Sequence, residues 1–360
     1  MPGPYDLSPA EVADLLGDEP AYRARQVWDG LYRRMLRPAE MTDLPARLRR
    51  KLESDPAMVP SLELASRTAA DDGQTVKWLW SLGDRAAVET VLMHYPDRST
   101  VCVSTQAGCA MACGFCATGQ AGFTRHLQAG EIVEQVVEAA REARPRRVSN
   151  VVFMGMGEPL ANYDRVWAAI VRLHDGLGFS ARHLTLSTVG IVPGIRRLAT
   201  APLPVNLAVS LHAANNALRD RLVPINRRWP LDELTAACRA YVAAKGRRLS
   251  FEWALIDGVN DRRRDAVELA GVVRPLGAHV NLIPLNPTPG YPTRGTPPAG
   301  VAAFRDLLTD LGVNATVRRN RGVEIDAACG QLAARAGPGP GDADGLSIGR
   351  RPDSPASVPN

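Results

Sequence analysis

Val101-Cys102-Val103-Ser104-Thr105-Gln106-Ala107-Gly108-Cys109-Ala110-Met111-Ala112-Cys113-Gly114-Phe115-Cys116 begins as a β-branched run and breaks into a loop that carries three cysteines. Their spacing is C-x3-C-x2-C, with an aromatic residue just before the last. Structural zinc wants four ligands, usually as two separated pairs. Here the thiols are crowded together, and the nearest histidine, His126, lies across a polar loop. Cys109, Cys113 and Cys116 instead suit a [4Fe-4S] cluster. Such clusters normally take four cysteines, so a set of three leaves one iron open to a small molecule.

Downstream, short β-branched runs alternate with helical patterns. Strands are predicted at 101–105, 150–154, 183–187, 206–211, 251–256 and 280–285, and helices at 130–142, 164–174, 231–245, 261–274 and 299–311. Successive βα units of this kind build a parallel sheet with helices outside. Six of them fall short of a closed eight-stranded barrel. The predicted fold is therefore α/β, a partial (βα)6 barrel with an open side for a large substrate. Such folds place their sites at the carboxyl ends of strands, and the cysteine triplet follows the first one.

Other candidate residues fall at later strand ends. Met154-Gly155-Met156-Gly157-Glu158-Pro159 follows the second strand. Glycines there allow a ligand to approach the backbone, and Glu158 can accept a hydrogen bond from an amine. Ser187-Thr188-Val189-Gly190, Ser210-Leu211-His212 and Leu285-Asn286-Pro287 end the third, fourth and sixth strands. Each sets a short polar side chain at the mouth, where a turn or a cap is the alternative role.

The flanking regions have a different character. Ser8-Pro9-Ala10-Glu11 reads as a capping box with proline at the first helical position. A second helix over 22–36 carries Arg23, Arg25, Arg33 and Arg34, and a short third helix carries Arg47, Arg49 and Arg50. Residues 1–55 are read as a small basic helical domain. Residues 56–98 are read as a β-hairpin extension, with strands at 75–80 and 87–92. The barrel core spans 99–335, and the Gly-, Pro- and Asp-rich tail 336–360 is expected to be disordered.

Bulk properties narrow the class. The chain has 360 residues, a net charge of +5 and a sequence pI near 9.0. The charge favours an anionic partner. No apolar run is long enough to span a bilayer, and the start lacks an export-signal pattern, so a cytoplasmic protein without membrane contact is expected. Six cysteines in such a chain point to metal or catalysis rather than to a disulfide scaffold. Cys238, within a predicted helix, reads as a packed thiol. Cys102 lies on the first core strand, and Cys329 lies in the polar segment Ile325-Asp326-Ala327-Ala328-Cys329-Gly330-Gln331-Leu332.

The triplet and the Gly-Met-Gly-Glu element resemble the cluster and S-adenosylmethionine (SAM) motifs of radical SAM enzymes. More specifically, the chain resembles the RlmN family. The matching stretches are Val101 to Cys109, Gly155 to Pro159, Ser210 to His212, Ile283-Pro284-Leu285-Asn286-Pro287 and Asp326 to Leu332. The early run Tyr22-Arg-Ala-Arg-Gln-Val-Trp-Asp-Gly-Leu-Tyr32 also fits. The resemblance covers roughly residues 5 to 335.

It implies methylation at C2 of an adenine in 23S rRNA and in tRNA, with a [4Fe-4S] cluster and SAM as cofactors. Gly157, Glu158, Ser187, Ser210, Leu211, His212 and Asn286 are implied to hold SAM. Adenine C2 is too poor a nucleophile for direct polar attack on a sulfonium methyl. The implied route methylates Cys329 first and removes a hydrogen from that methyl with a 5′-deoxyadenosyl radical. The methylene radical then adds to C2, and the adduct loses one electron on the way back to an aromatic ring. Glu89 is implied as the base that takes the C2 proton. Cys102 then attacks the Cys329 sulfur, releasing product as a disulfide forms, and an outside thiol reductant resets the pair. An external electron donor and a monomeric enzyme are also expected. The nearest rival is Cfr-like methylation at C8. Others are a different radical SAM enzyme, such as a glycyl-radical activase, and a zinc-dependent RNA-binding module.

Overall fold

The computed structural model describes residues 3–247, 249–288, 290–318 and 321–334. The tail expected at 336–360 lies outside the described residues.

One ten-stranded sheet organises the chain. Its strands are β1 (Leu62–Ala70), β2 (Thr75–Leu82), β3 (Ala87–His94), β4 (Ser99–Cys102), β7 (Val148–Phe153), β8 (Leu184–Thr188), β9 (Asn206–Ser210), β10 (Leu249–Leu255), β11 (His279–Pro284) and β12 (Asn314–Val317), in that spatial order. β1 to β4 pair antiparallel, and from β4 to β12 every pairing is parallel. The ends of the order, β1 and β12, leave the sheet unclosed. All six strands predicted for the barrel form. A seventh parallel strand, β12, extends it on the far side. It was hidden because Asn314-Ala315-Thr316-Val317 is short and largely exposed. The hairpin expected at 75–92 forms as β2 and β3, and β1 adds a strand outside it. β1 is exposed between its two ends, so its sequence carries no apolar alternation.

A second, two-stranded sheet pairs β5 (Gln106–Gly108) with β6 (Phe123–His126) and closes the loop that bears the triplet. Inside that loop lies a single helical turn, α4 (Ala117–Ala121). The longer helices are α1 (Pro9–Leu16), α2 (Tyr22–Tyr32), α3 (Ala46–Ser54), α5 (Ala129–Glu142), α6 (Tyr163–Val171), α7 (Val192–Thr200), α8 (Asn216–Leu222), α9 (Leu231–Lys245), α10 (Arg263–Val273) and α11 (Pro298–Asp310).

α5 shows why these segments are helices. Ile132, Val133, Val136 and Val137 recur at helical spacing and are all fully buried. The predicted Ser8 capping box closes α1 in both directions. The amino-terminal helices do not stand apart. Val12, Leu31, Tyr32 and Leu48 belong to the same buried cluster as Leu92 on β3 and Val136 on α5. No helix among the described residues is long and apolar enough to cross a membrane.

Candidate active site

The sheet curls around one cavity of about 160 Å³, lined by residues from β3 through β11 and from the segment after β12. Cys109, Cys113 and Cys116 line it, as do Gly157, Glu158, Ser187, Ser210, His212 and Asn286. Cys102 and Cys329 line it too. Two sequence-predicted residues do not. Leu211 is fully buried in the core, and its carbonyl accepts from Arg219 Nε at 3.1 Å. Glu89 is buried on β3 and faces Lys77 and the chain beyond Cys329.

The triplet loop is held at its base. Cys109 N donates to the Gly122 carbonyl at 2.6 Å. Ala112 sits at φ +54, a left-handed conformation uncommon for a residue other than glycine. Burial raises the Cys109 thiol to about 12, with Glu158 and then Cys116 adding to it, and raises the Cys113 thiol well above its usual range, with Cys116 and Cys109 adding to that. Such thiols stay neutral until a metal takes the place of the proton. Among the described residues no three His, Cys, Asp or Glu side chains converge on a point that would hold a single ion. A four-iron cluster asks for something different: thiolates arrayed around a volume, each on its own iron. Three cysteines on one strained loop, all facing one cavity, fit that demand.

The Gly-Met-Gly-Glu element is built for close approach. A Cβ on Gly155 would meet the Val103 carbonyl oxygen at 2.7 Å, and one on Gly157, at φ +99, would meet Gln106 Cβ at 2.5 Å. Glu158 follows, 2 % exposed. Its Oε1 accepts from Leu160 N at 2.9 Å and its Oε2 from Val189 N at 2.8 Å. Burial lifts its carboxyl to about 7, and those backbone donors restrain the rise. Glu158 therefore also ties the end of β7 to the end of β8. Gln106 completes the corner: its Oε1 accepts from Glu158 N at 2.8 Å.

His212 has φ +58, and its ring packs edge-on to Phe115 of the triplet loop at 4.8 Å between centroids. Its Nδ1 accepts from Ala254 N at 3.0 Å, which leaves the proton on Nε2. Burial and then the charge of Arg219 lower its pKa to about 3, so this histidine is a neutral donor at any working pH.

The second thiol pair is assembled from the far ends of the core. Cys102 is buried at the end of β4, and burial raises its thiol to about 12. Cys329 is exposed, and it faces the cavity. Burial raises its thiol, and the Arg318 guanidinium opposes that rise. Both cysteines are free.

The Cys329 loop is stitched on three sides. Asn286 Nδ2 donates to the Cys329 carbonyl at 3.0 Å. Ala117 N and Thr118 Oγ1, on α4 just after Cys116, donate to the Gly330 and Leu332 carbonyls at 2.8 and 2.6 Å. On the third side Glu89 Oε2 accepts from Ala333 N at 2.8 Å and Ala334 N at 3.1 Å. Its Oε1 pairs with Lys77 Nζ at 2.8 Å, and Lys77 also reaches the Asp326 carbonyl at 3.4 Å.

Sequence reasoning missed Lys77, Arg318 and Glu252. Arg318 and Glu252 both line the cavity. Asn281 Nδ2 donates to Glu252 Oε1 at 2.8 Å, while among the described residues Glu252 Oε2 has no hydrogen-bond partner. An isolated basic or acidic residue on a strand carries no spacing signal, so only the fold reveals these three.

A barrel open on one side, with three cysteines on the loop after its first parallel strand and a glycine-glutamate corner after its second, defines a radical SAM protein. The family model described as the radical SAM superfamily matches residues 103–270. A relative from Chloroflexus aurantiacus, described as a probable dual-specificity RNA methyltransferase RlmN, is 52% identical over 349 residues, covering 92% of each chain. One from Frankia casuarinae with the same description is 56% identical over 90% of this chain and 80% of its own. A crystal structure of a radical SAM methyltransferase from Sphaerobacter thermophilus superposes with a TM-score of 0.89 at 50% identity, over 93% of this chain and all of that one. The chain belongs to the RlmN family.

Proposed function

We propose that this protein methylates C2 of an adenine in 23S rRNA and in tRNA, with Cys329 as the methyl carrier. The observation that carries the reading is the shared cavity: a cluster-type cysteine triplet and a separate thiol pair face the same space. The triplet alone would serve any radical SAM chemistry. Two further thiols in its cavity call for sulfur chemistry on the substrate side.

Each residue then has a task. Cys109, Cys113 and Cys116 would hold a [4Fe-4S] cluster, which with SAM at its open iron supplies one-electron cleavage of the sulfonium. Gly157, Glu158, Ser187, Ser210, His212 and Asn286 would hold SAM. Leu211 does not reach SAM itself: its side chain is core and its N–H and carbonyl bond to the Glu252 carbonyl and to Arg219, so its part is to hold Ser210 and His212 in place. Cys329 takes a methyl group as thiolate, the nucleophilic form, which the Arg318 charge favours. Glu89 takes the C2 proton, which requires it to release the amides of Ala333 and Ala334 first. Cys102 attacks the Cys329 sulfur to free the product, and an external thiol reduces the resulting disulfide.

The target base must leave its stack to reach the cavity. Residues 1–55 are proposed as the RNA-facing region, within a division that leaves 56–98 as the β extension and 99–335 as the core. On this surface Arg33, Arg34 and Arg47 are paired with Asp29, Asp43 and Glu19. Arg25 and Arg50 are exposed, and no ion pair holds them among the described residues, so they are the readier phosphate contacts. A cytoplasmic monomer served by an outside electron donor completes the reading.

The test is anaerobic reconstitution with SAM labelled in its methyl group. Label should appear first on Cys329 and then on RNA, and digestion with mass spectrometry should locate it at C2. Label at C8, or on RNA without passing through Cys329, would overturn the assignment.

A further inference from the structure

Arg219, on α8, is fully buried. Its guanidinium donates to the Leu211 carbonyl at 3.1 Å, Asn226 Oδ1 at 2.8 Å, the Val189 carbonyl at 2.6 Å and the Ser210 carbonyl at 3.4 Å. Every one of these acceptors is uncharged. Among the described residues no carboxylate stands within ion-pair distance of it. Its sequence neighbour Asp220 instead accepts from Asn226 Nδ2 at 2.6 Å. Arg125 shows the ordinary solution, spanning Asp84 and Glu131.

A buried charge without a counter-charge is expensive. Neutralisation does not relieve it here: burial brings Arg219 down only to about 10, so it is a cation at neutral pH. Its surroundings indicate where the compensation belongs. α8 buries Leu218 and Leu222, one residue before Arg219 and three after it, in one apolar cluster with Cys113 and Phe115. Cys113 of the triplet is the first electrostatic partner of Arg219 after its burial, and Arg219 in turn acts on His212, which lines the cavity.

We propose that the missing counter-charge of Arg219 is the cluster held by the triplet, and that Arg219 raises the reduction potential of that cluster. This rests on the cluster reading above. Three thiolates outweigh the positive charge of a [4Fe-4S] core, and one-electron reduction adds a further negative charge. A fixed cation nearby stabilises the reduced form more than the oxidised form, and net charge is one of the factors that set such potentials. Arg219 acts through its field. It does not line the cavity, and its donors are aimed at the ends of β8 and β9 rather than at a ligand.

The test uses the full-length protein, reconstituted anaerobically without SAM or RNA, and compares wild type, R219K and R219Q. Iron and sulfide content are measured, followed by a redox titration read by electron paramagnetic resonance. R219K keeps the charge and should stay near wild type. R219Q keeps hydrogen-bonding capacity and loses the charge. Its equilibrium constant for reduction should fall about tenfold, a potential lower by about 59 mV. An unchanged potential in iron-replete R219Q overturns the proposal. Should R219Q hold no iron, R219K decides: loading in R219K supports a need for charge, and failure of both assigns Arg219 a purely structural role. A wild-type protein without a cluster would instead sink the cluster reading, before any variant is compared.

Discussion

The molecule holds two sets of cavity-facing cysteines that are built in opposite ways. Cys109, Cys113 and Cys116 sit on one loop, closed at its base by the pairing of β5 with β6. Cys102 and Cys329 come from the first parallel strand and from the segment after the last, and tertiary contacts alone bring them to one cavity. The triplet depends on local backbone. The pair depends on Asn286, α4 and the Lys77–Glu89 ion pair, none of which lies beside Cys329 in sequence. A site written contiguously resists distant perturbation, whereas an assembled one inherits the stability of everything that assembles it.

Four experiments test this contrast, from the largest expected effect to the smallest. C113A should abolish iron retention, measured by metal analysis after reconstitution, while the Cys102–Cys329 disulfide still forms on oxidation. Loss of the disulfide as well would mean that the two sets are one structural unit. C329S should eliminate methyl transfer to RNA to the detection limit, with iron content and SAM cleavage to 5′-deoxyadenosine retained. Residual RNA methylation would remove Cys329 from its proposed role.

K77M should leave iron content intact and slow methyl transfer by roughly 10- to 100-fold, the scale expected when a reacting group is displaced by about 1 Å. Hydrogen exchange at Ala333 and Ala334 should quicken in parallel. Normal exchange with slow turnover would break the link between the ion pair and the loop.

The smallest effect concerns Glu134, which belongs to neither site. It is 2 % exposed and accepts from Ser61 N at 2.9 Å; burial, helped by Glu138, raises its carboxyl to about 8. Its ordinary value is 4.5. Between those two pH values the folded protein keeps a proton that the unfolded chain releases. Stability contributed by this group is therefore full below pH 4.5 and declines as pH rises toward 8. E134Q should flatten that decline and raise Tm at pH 9 by roughly 2 °C, about the shift that 1 kcal/mol produces in a large domain. A pH profile identical to wild type would show that Glu134 is not the responsible group.

The same contrast explains what could be read in the sequence. The triplet, the Gly155–Glu158 corner and the polar ends of β8, β9 and β11 were legible because each is a short pattern at a strand end. α5 was legible because four buried apolar residues repeat at helical spacing. β1 was not, since as an exposed edge strand it has no apolar alternation. Glu89 was found only through the family resemblance. Its clasp on the Cys329 loop joins residues from opposite ends of the chain.

Sequence alone determined the alternation of strands and helices, the order in which motifs reach the mouth, and the C-x3-C-x2-C spacing of the triplet. These rest on local propensity, periodicity and spacing, which act over a few residues. Tertiary structure alone decided that Cys102 and Cys329 share a cavity with the triplet. It also decided that Leu211 is core, that Lys77 and Glu89 clasp the loop, and that Arg219 is buried among uncharged acceptors. Each of these depends on which distant groups exclude water from one another, and burial of that kind exists only once the sheet has curled.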